Sequence, residues 1–340
     1  MSAVRAGASP RAVAAMRQGR RPVHPWLIAL AAGLVSCAAT FARPAGAADL
    51  SHAVVGGHST YCVRPTDTLT SISARFGEPL GAIVRANAID PRKPIFPGQC
   101  LRIDNRHVVP ATLQDGILVN IPQRMLFFFS GDALAAAYPV GLGRPTWPTP
   151  TGPFHVVEMR QDPTWHVPVS IQQEMRRTGK PVLIEVPPGP DNPLGRYWMG
   201  LSIDGYGIHG TNAPPSVYHF QSHGCIRLHP DDAQWLFSRV HIGTPGELIY
   251  SPVLLASLPD GQILLEVDPD IYRRRIDASR TVRDLADRNG LTARIDWQRA
   301  MQVIRSGEGV ATRIDLAAAT SPVPELLQPN SAASNPRITQ

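Results

Sequence analysis

Gly207-Ile208-His209-Gly210-Thr211-Asn212, followed by Gln221-Ser222-His223-Gly224-Cys225-Ile226-Arg227-Leu228, is the densest chemistry in the chain. Four histidines (His209, His219, His223, His229) and one cysteine crowd into 21 positions. A free thiol is only a few per cent thiolate at neutral pH, so a reactive cysteine needs a base or a cation beside it, and histidine suits that part. The small residues before Cys225 leave room for a substrate carbonyl, and they offer the backbone N–H groups of Gly224 and Cys225 to a developing oxyanion. A zinc site built from His and Cys is the competing reading. Against it, neither Cys-x-x-Cys nor His-Glu-x-x-His occurs. A purely structural cluster is the third reading, and it sits poorly with a cysteine placed between glycine and several histidines.

Working outward, the other cysteines sharpen the case. The chain has four: Cys37, Cys62, Cys100 and Cys225. Residues 1–48 read as a cleaved secretion signal, with an Arg-rich start, the apolar run Trp26–Ala42 and the small triplet Ala45-Gly46-Ala47. That run is short and alanine-rich for a membrane span. Leu34-Val35-Ser36-Cys37 also loosely fits a lipoprotein signal, the less favoured alternative. Once the leader is gone three cysteines remain in an oxidising compartment, where two are expected to pair and one to stay free.

The same leader accounts for the charge. The chain's net charge is +6, and six arginines with no acid lie in residues 1–48, so residues 49–340 are formally neutral. No basic stripe of the kind phosphate binding requires is left, which argues against a nucleic-acid partner. With 34 prolines and 28 glycines in 340 residues, the composition excludes coiled coil and collagen and favours strands and turns.

Two folded regions follow. In residues 60–104, Tyr61-Cys62-Val63 and Gln99–Ile103 read as short strands. Between them lie an amphipathic helix with apolar residues at 69, 72 and 76, stopped by Gly77, and a second helix from Pro79 to Asn87. Residues 105–115 read as a linker. From Gly116 the texture becomes β, with runs at Ile117–Ile121, Arg124–Phe129, Leu134–Val140 and Phe154–Met159 punctuated by Gly and Pro, as in an antiparallel domain. Residues 251–315 form a C-terminal extension with a hairpin at Val253–Val267 and helical patterns at Thr281–Asn289 and Trp297–Ser306. The Ala/Ser/Pro-rich tail, 316–340, is expected to be disordered.

The βααβ order of residues 60–104, with Asp67-Thr68-Leu69, Ala86-Asn87 and Pro97-Gly98-Gln99, resembles a LysM domain, which implies binding of peptidoglycan glycan strands. If Cys62 and Cys100 lie on its paired terminal strands, a disulfide between them is natural. The His209–Asn212 and Ser222–Leu228 segments, sixteen residues apart from His209 to Cys225, resemble the catalytic signature of YkuD-type L,D-transpeptidases. That similarity extends over about residues 116–250, including Gly152-Pro153-Phe154 and Pro188–Gly195, and is greatest to the ErfK/YbiS-type group. Arg227 stands where many relatives outside that group carry Asn.

The resemblance implies a mainly β, sandwich-like catalytic domain behind a small βααβ LysM domain. It also implies a periplasmic location and a set of roles. Cys225 is the nucleophile on the diamino acid–D-Ala bond of tetrapeptide stems, and His209 is the general acid/base. His223 and Gly224 serve the oxyanion and pocket, while Ser222, Arg227, Thr211 and Asn212 contact substrate. The acyl group passes to an amine of a second stem or of an envelope protein, with no metal or organic cofactor. Hydrolysis of the same acyl-enzyme (an L,D-carboxypeptidase) and a non-catalytic LysM wall binder are the alternatives.

Overall fold

Phe127-Phe128-Phe129 sits in the middle of the molecule because both faces of its strand are covered. Phe128 points into one apolar cluster with Ile117, Val119 and Leu126; Phe127 and Phe129 point into another with Leu118, Met125, Val217 and Tyr218. A strand buried on both sides reads as a continuous apolar run rather than an alternating one, which is what Met125–Phe129 shows. The computed structural model describes residues 49–316. The leader, with Cys37, and the tail from residue 317 lie outside the described residues.

Eight strands form one sheet, in the order Ile226–Arg227, Gly207–His209, Tyr197–Leu201, Gly152–Gln161, Pro245–Ile249, Gly116–Asn120, Met125–Ser130, Ala133–Pro139. The long Gly152–Gln161 strand is its corner. Residues up to His155 pair with Pro245–Leu248, whereas Val156 and beyond pair with Tyr197–Leu201. Its alternating Phe154 and Val156 face inward. The halves on either side therefore share a single core, in which Ile117, Val119 and Leu126 meet Met199, Ile208 and Ile226. The domain is strand-rich and sandwich-like in this sense.

Two neighbouring pairs are parallel, contrary to the antiparallel expectation: Gly207–His209 with Ile226–Arg227, and Pro245–Ile249 with Gly116–Asn120. Parallel neighbours need a crossover connection rather than a tight turn. Residues 210–225 make that connection for the first pair, and helix Pro230–Phe237 follows it, burying Ala233 and Leu236 against the core.

The LysM unit pairs strand His58–Cys62 with Cys100–Asp104 and closes them with a disulfide between Cys62 and Cys100. Thr68 caps helix Leu69–Phe76 by accepting from Ser71 N, and Gly77 ends it at φ 69°, the left-handed stop expected of glycine. Residues 105–115 are not a free linker. His107 and Val108 form a strand with Val54–Val55 and, like Val109, are almost wholly buried. The segment is a seam rather than a tether because it carries the groups that join three regions. The C-terminal extension packs helices Ala278–Arg288 and Trp297–Ser306 on one face of a hairpin (Val253–Ser257, Ile263–Val267), and the other face covers Val108.

At the seam, His107 Nε2 lies 2.7 Å from the Gly77 carbonyl of the LysM unit, and Nδ1 lies 2.7 Å from Glu266 Oε1 of the extension. Glu266 Oε2 accepts from Val108 N (2.6 Å) and Gln123 Nε2 (3.0 Å). Asn120 extends the network by donating to Gln123 Oε1 and to the Ser251 carbonyl. Ala74 of the LysM helix belongs to the same cluster as Phe127 and Phe129.

Candidate active site

The strand register decides the central geometry. Ile208 pairs with Ile226 and His209 with Arg227 in the parallel ladder. Both isoleucines are fully buried in the core, so by the two-residue period Gly207, His209, Cys225 and Arg227 lie on the opposite face. Cys225, immediately before the Ile226–Arg227 strand, is thus diagonal to His209 across Gly207, a residue with no side chain. A Cβ at Gly207 would lie 2.3 Å from the Trp198 ring. That indole stacks on the His209 imidazole, centroids 5.8 Å apart, and donates Nε1–H to Glu158 Oε2 at 2.9 Å.

His209 is 4% exposed, and its Nδ1 lies 2.6 Å from the Gly210 carbonyl. A carbonyl only accepts, so Nδ1 carries the proton and Nε2 is the basic nitrogen. Burial first, and then the Arg227 charge, push the His209 pKa down to about 3, against the Gly210 and Leu194 carbonyls. Burial pushes the Cys225 thiol up, opposed by a backbone hydrogen bond at Gly207 and by Arg227. Both groups therefore rest neutral at neutral pH. Such a pair can transfer a proton as the sulfur attacks, with Arg227 favouring the thiolate. Burial lowers the pKa of Arg227 itself, and its Nε is buried without a hydrogen-bond partner.

The turn before Cys225 is braced from several sides. Ser222 Oγ donates to the Cys225 carbonyl at 2.6 Å and accepts from Gly224 N at 3.0 Å. The Gly224 N–H is thereby occupied, which corrects the expectation that it would face an oxyanion. What Gly224 supplies is conformation: at φ +106° a Cβ would meet the Tyr206 ring at 2.5 Å. Thr149 Oγ1 donates to the Gly224 carbonyl (2.8 Å). Tyr272, from the C-terminal extension, donates to the Gly143 carbonyl (2.7 Å) and accepts from Thr149 N (3.0 Å).

The remaining candidates scatter. His223 turns to Glu174 (2.5 Å between Nε2 and Oε2) and packs edge-on to Trp147. Thr211 is buried, its hydroxyl accepting from Ala213 N, and Asn212 is exposed with no bond to the site. The four histidines do not converge, and among the described residues no group of three or more His, Cys, Asp or Glu could hold a metal ion. Sequence reasoning missed Trp198, Glu158, Thr149, Tyr272, Arg144 and Glu174. Only Trp198, within the apolar Tyr197-Trp198-Met199 run, carried any signal.

Comparison with known proteins places this geometry in context. Residues 114–253 match the L,D-transpeptidase catalytic domain (YkuD), and residues 61–104 match the LysM domain. "Probable L,D-transpeptidase ErfK/SrfK" of Salmonella typhimurium (strain LT2) is 35% identical over 217 residues, which is 62% of this chain and 69% of that protein. "Probable L,D-transpeptidase YbiS" of Escherichia coli (strain K12) is 35% identical over 172 residues, 50% of this chain and 56% of that one. The catalytic domain of an E. faecium L,D-transpeptidase, solved acylated by ertapenem, aligns at 27% identity with a TM-score of 0.32 over 41% of this chain and all of that domain. With more than two thirds of one relative's length aligned at this identity, the chain belongs to the YkuD-type L,D-transpeptidase family of acyltransferases.

Proposed function

We propose that the protein is a peptidoglycan L,D-transpeptidase in which Cys225 is the nucleophile and His209 the general acid/base. The observation that supports this reading is the parallel register of Gly207–His209 with Ile226–Arg227, whose extension by one residue brings Cys225 diagonally opposite His209. In acylation the Cys225 sulfur attacks the carbonyl between the diamino acid and terminal D-Ala of a tetrapeptide stem. The S–C bond forms, the C–N bond breaks, and the thiol proton travels through His209 Nε2 to the departing amine. In the second half an acceptor amine gives its proton to His209 as it attacks the thioester, and the thiol is restored. Arg227 stabilises the thiolate as it develops, and Ser222 holds the turn on which Cys225 is presented. Trp198 keeps the imidazole from rotating.

The acceptor is the amine of a second stem or of an envelope protein. LysM seats the enzyme on glycan strands, and the leader delivers it to the periplasm. Incubation with tetrapeptide muropeptides, resolved by mass, tests the reading. Dimers or amine adducts with D-Ala release support acyl transfer, tripeptide alone would make the enzyme an L,D-carboxypeptidase, and no product from folded protein would leave a wall-binding protein.

A further inference from the structure

The excursion between Pro163 and Asn192 is held in two places. At its base, Asn192 Nδ2 donates to the carbonyls of Pro163, Val186 and Pro187 at 2.8–3.2 Å. At its middle, helix Val169–Arg177 buries no residue, and the excursion leaves Val169 and Ile184 65% and 72% exposed. Gln172 Nε2 donates to the Val167 carbonyl within the excursion (2.9 Å); among the described residues, the side-chain bonds from this helix to residues beyond the excursion run through Glu174 alone. Its Oε1 accepts from Arg144 at 2.6 Å, and its Oε2 lies 2.5 Å from His223 Nε2.

One carboxylate thus bridges a guanidinium and an imidazole beside the nucleophile turn. His223 is two residues from Cys225, and Arg144 N donates to the Ser222 carbonyl at 3.1 Å. Arg144 Nε is buried with no hydrogen-bond partner, so the guanidinium has unused donor capacity. Trp147 supports both groups, with the His223 ring edge-on at 4.6 Å and the Arg144 guanidinium 5.6 Å from its centroid.

We propose that Arg144 and His223 form a subsite for a substrate carboxylate, and that Glu174 occupies it as an internal stand-in which substrate displaces, freeing the helix. This rests on the acyl-transfer reading above. The departing D-Ala ends in a carboxylate three bonds from the attacked carbonyl carbon, and a diamino acid with a second carboxylate presents the same chemistry from the acyl side. Exchange replaces one carboxylate with another on the same donors, so Arg144 keeps a counter-charge while the displaced Glu174 carboxylate is released to solvent. The pair is also within reach of a competing carboxylate, because the Arg144 and Glu174 side chains are 31% and 25% exposed.

The test uses the full protein and three tetrapeptide stems: free acid, amidated at D-Ala, and amidated at the diamino acid. Glu174→Gln should lower KM for the free-acid stem with kcat little changed, because the competing carboxylate is gone. Arg144→Ala should raise KM about tenfold or more for the free acid, the worth of a charged hydrogen bond, and leave unchanged the stem amidated at the recognised carboxylate. Which amide is insensitive identifies the source. Glu174→Gln that raises KM or lowers kcat, or Arg144→Ala that weakens all three stems equally, would overturn the proposal. Should no stem turn over, N-acetyl-D-alanine and its amide are titrated against the Cys225→Ala protein. Acid-selective binding tightened by Glu174→Gln keeps the subsite although acyl transfer has failed; equal binding of acid and amide removes it.

Discussion

His209 and His107 are buried almost alike, at 4% and 1% exposure, yet their surroundings drive them in opposite directions. His209 has only backbone carbonyls as acceptors, at Gly210 and Leu194, and a cationic neighbour in Arg227; it is held neutral. His107 has an acceptor on each ring nitrogen, the Gly77 carbonyl and the Glu266 carboxylate. Glu266 also accepts from Val108 N and Gln123 Nε2, so each nitrogen of His107 faces an acceptor, an arrangement that favours the imidazolium. Burial alone would lower the pKa of His107, but the Glu266 charge and hydrogen bond outweigh it and raise it. Burial sets the stakes for a titrating group, and the partner sets the sign. In the proposed mechanism the first imidazole is free to take a proton; the second is spent as a strut between Gly77 and Glu266.

Removing the essential group of each site should have opposite consequences. Cys225→Ala should abolish D-Ala release, and His209→Ala should slow it by about 10²–10⁴-fold, the usual worth of general-base help. Both should melt close to the parent, and appreciable turnover in Cys225→Ala would take the nucleophile role from it. Glu266→Ala should do the reverse. It strips buried His107 of its carboxylate partner, a loss of about 3–5 kcal/mol in urea denaturation at pH values where the ring is protonated, while the protein that stays folded keeps its kcat. A large kcat loss without destabilisation would show that the seam serves the chemistry.

The pH dependence of stability sharpens the contrast further. The lowered His209 pKa means that the unfolded chain binds a proton the folded one refuses. Stability is therefore lost as pH falls from about 6.5 toward about 3. The seam behaves oppositely. His107 contributes fully below pH 6.5 and loses that contribution as pH rises through its raised pKa. Buried Glu78 and Asp268, raised to about 7 and about 8 by burial, also disfavour folding as pH climbs toward those values. Melting temperature against pH should be a dome. Glu78→Gln should flatten its alkaline limb and His209→Asn its acid limb, and a swap of those effects would refute the assignment. The smallest effect is reserved for Tyr272→Phe. It removes a hydroxyl that bonds Gly143 and Thr149, so a loss of order 1 kcal/mol is expected, with a modest fall in turnover.

The two histidines also mark what was legible in the sequence. His209 stood beside Cys225 in a motif, because parallel neighbouring strands bring nearby stretches of chain together. The apolar runs at Ile117–Ile121 and Arg124–Phe129 and the helix at Trp297–Ser306 were equally readable, since each follows a local period or a continuous buried run. His107 lay in a stretch read as linker, because its partners at Gly77 and Glu266 lie 30 and 159 residues away. Helix Val169–Arg177 left no apolar stripe because it packs nothing into a core. The turn before Cys225 showed its glycine but not its bracing, which arrives from Thr149 and Tyr272.

The LysM unit has its own small core of Val63, Ile72, Ile83, Leu101 and Ile103, but Ala74 shares a cluster with Phe127 and Phe129, and His107 bonds both Gly77 and Glu266, so buried contacts tie it to the rest of the chain. Calorimetry should therefore record one cooperative transition, with calorimetric and van't Hoff enthalpies equal. By mass action, a glycan that occupies the folded LysM unit at a hundred times its Kd adds about 2.7 kcal/mol to that shared transition. The nucleophile turn is stabilised along with it, although no glycan touches it. Attachment to the wall thus acts as a thermodynamic chaperone for the enzyme that works there.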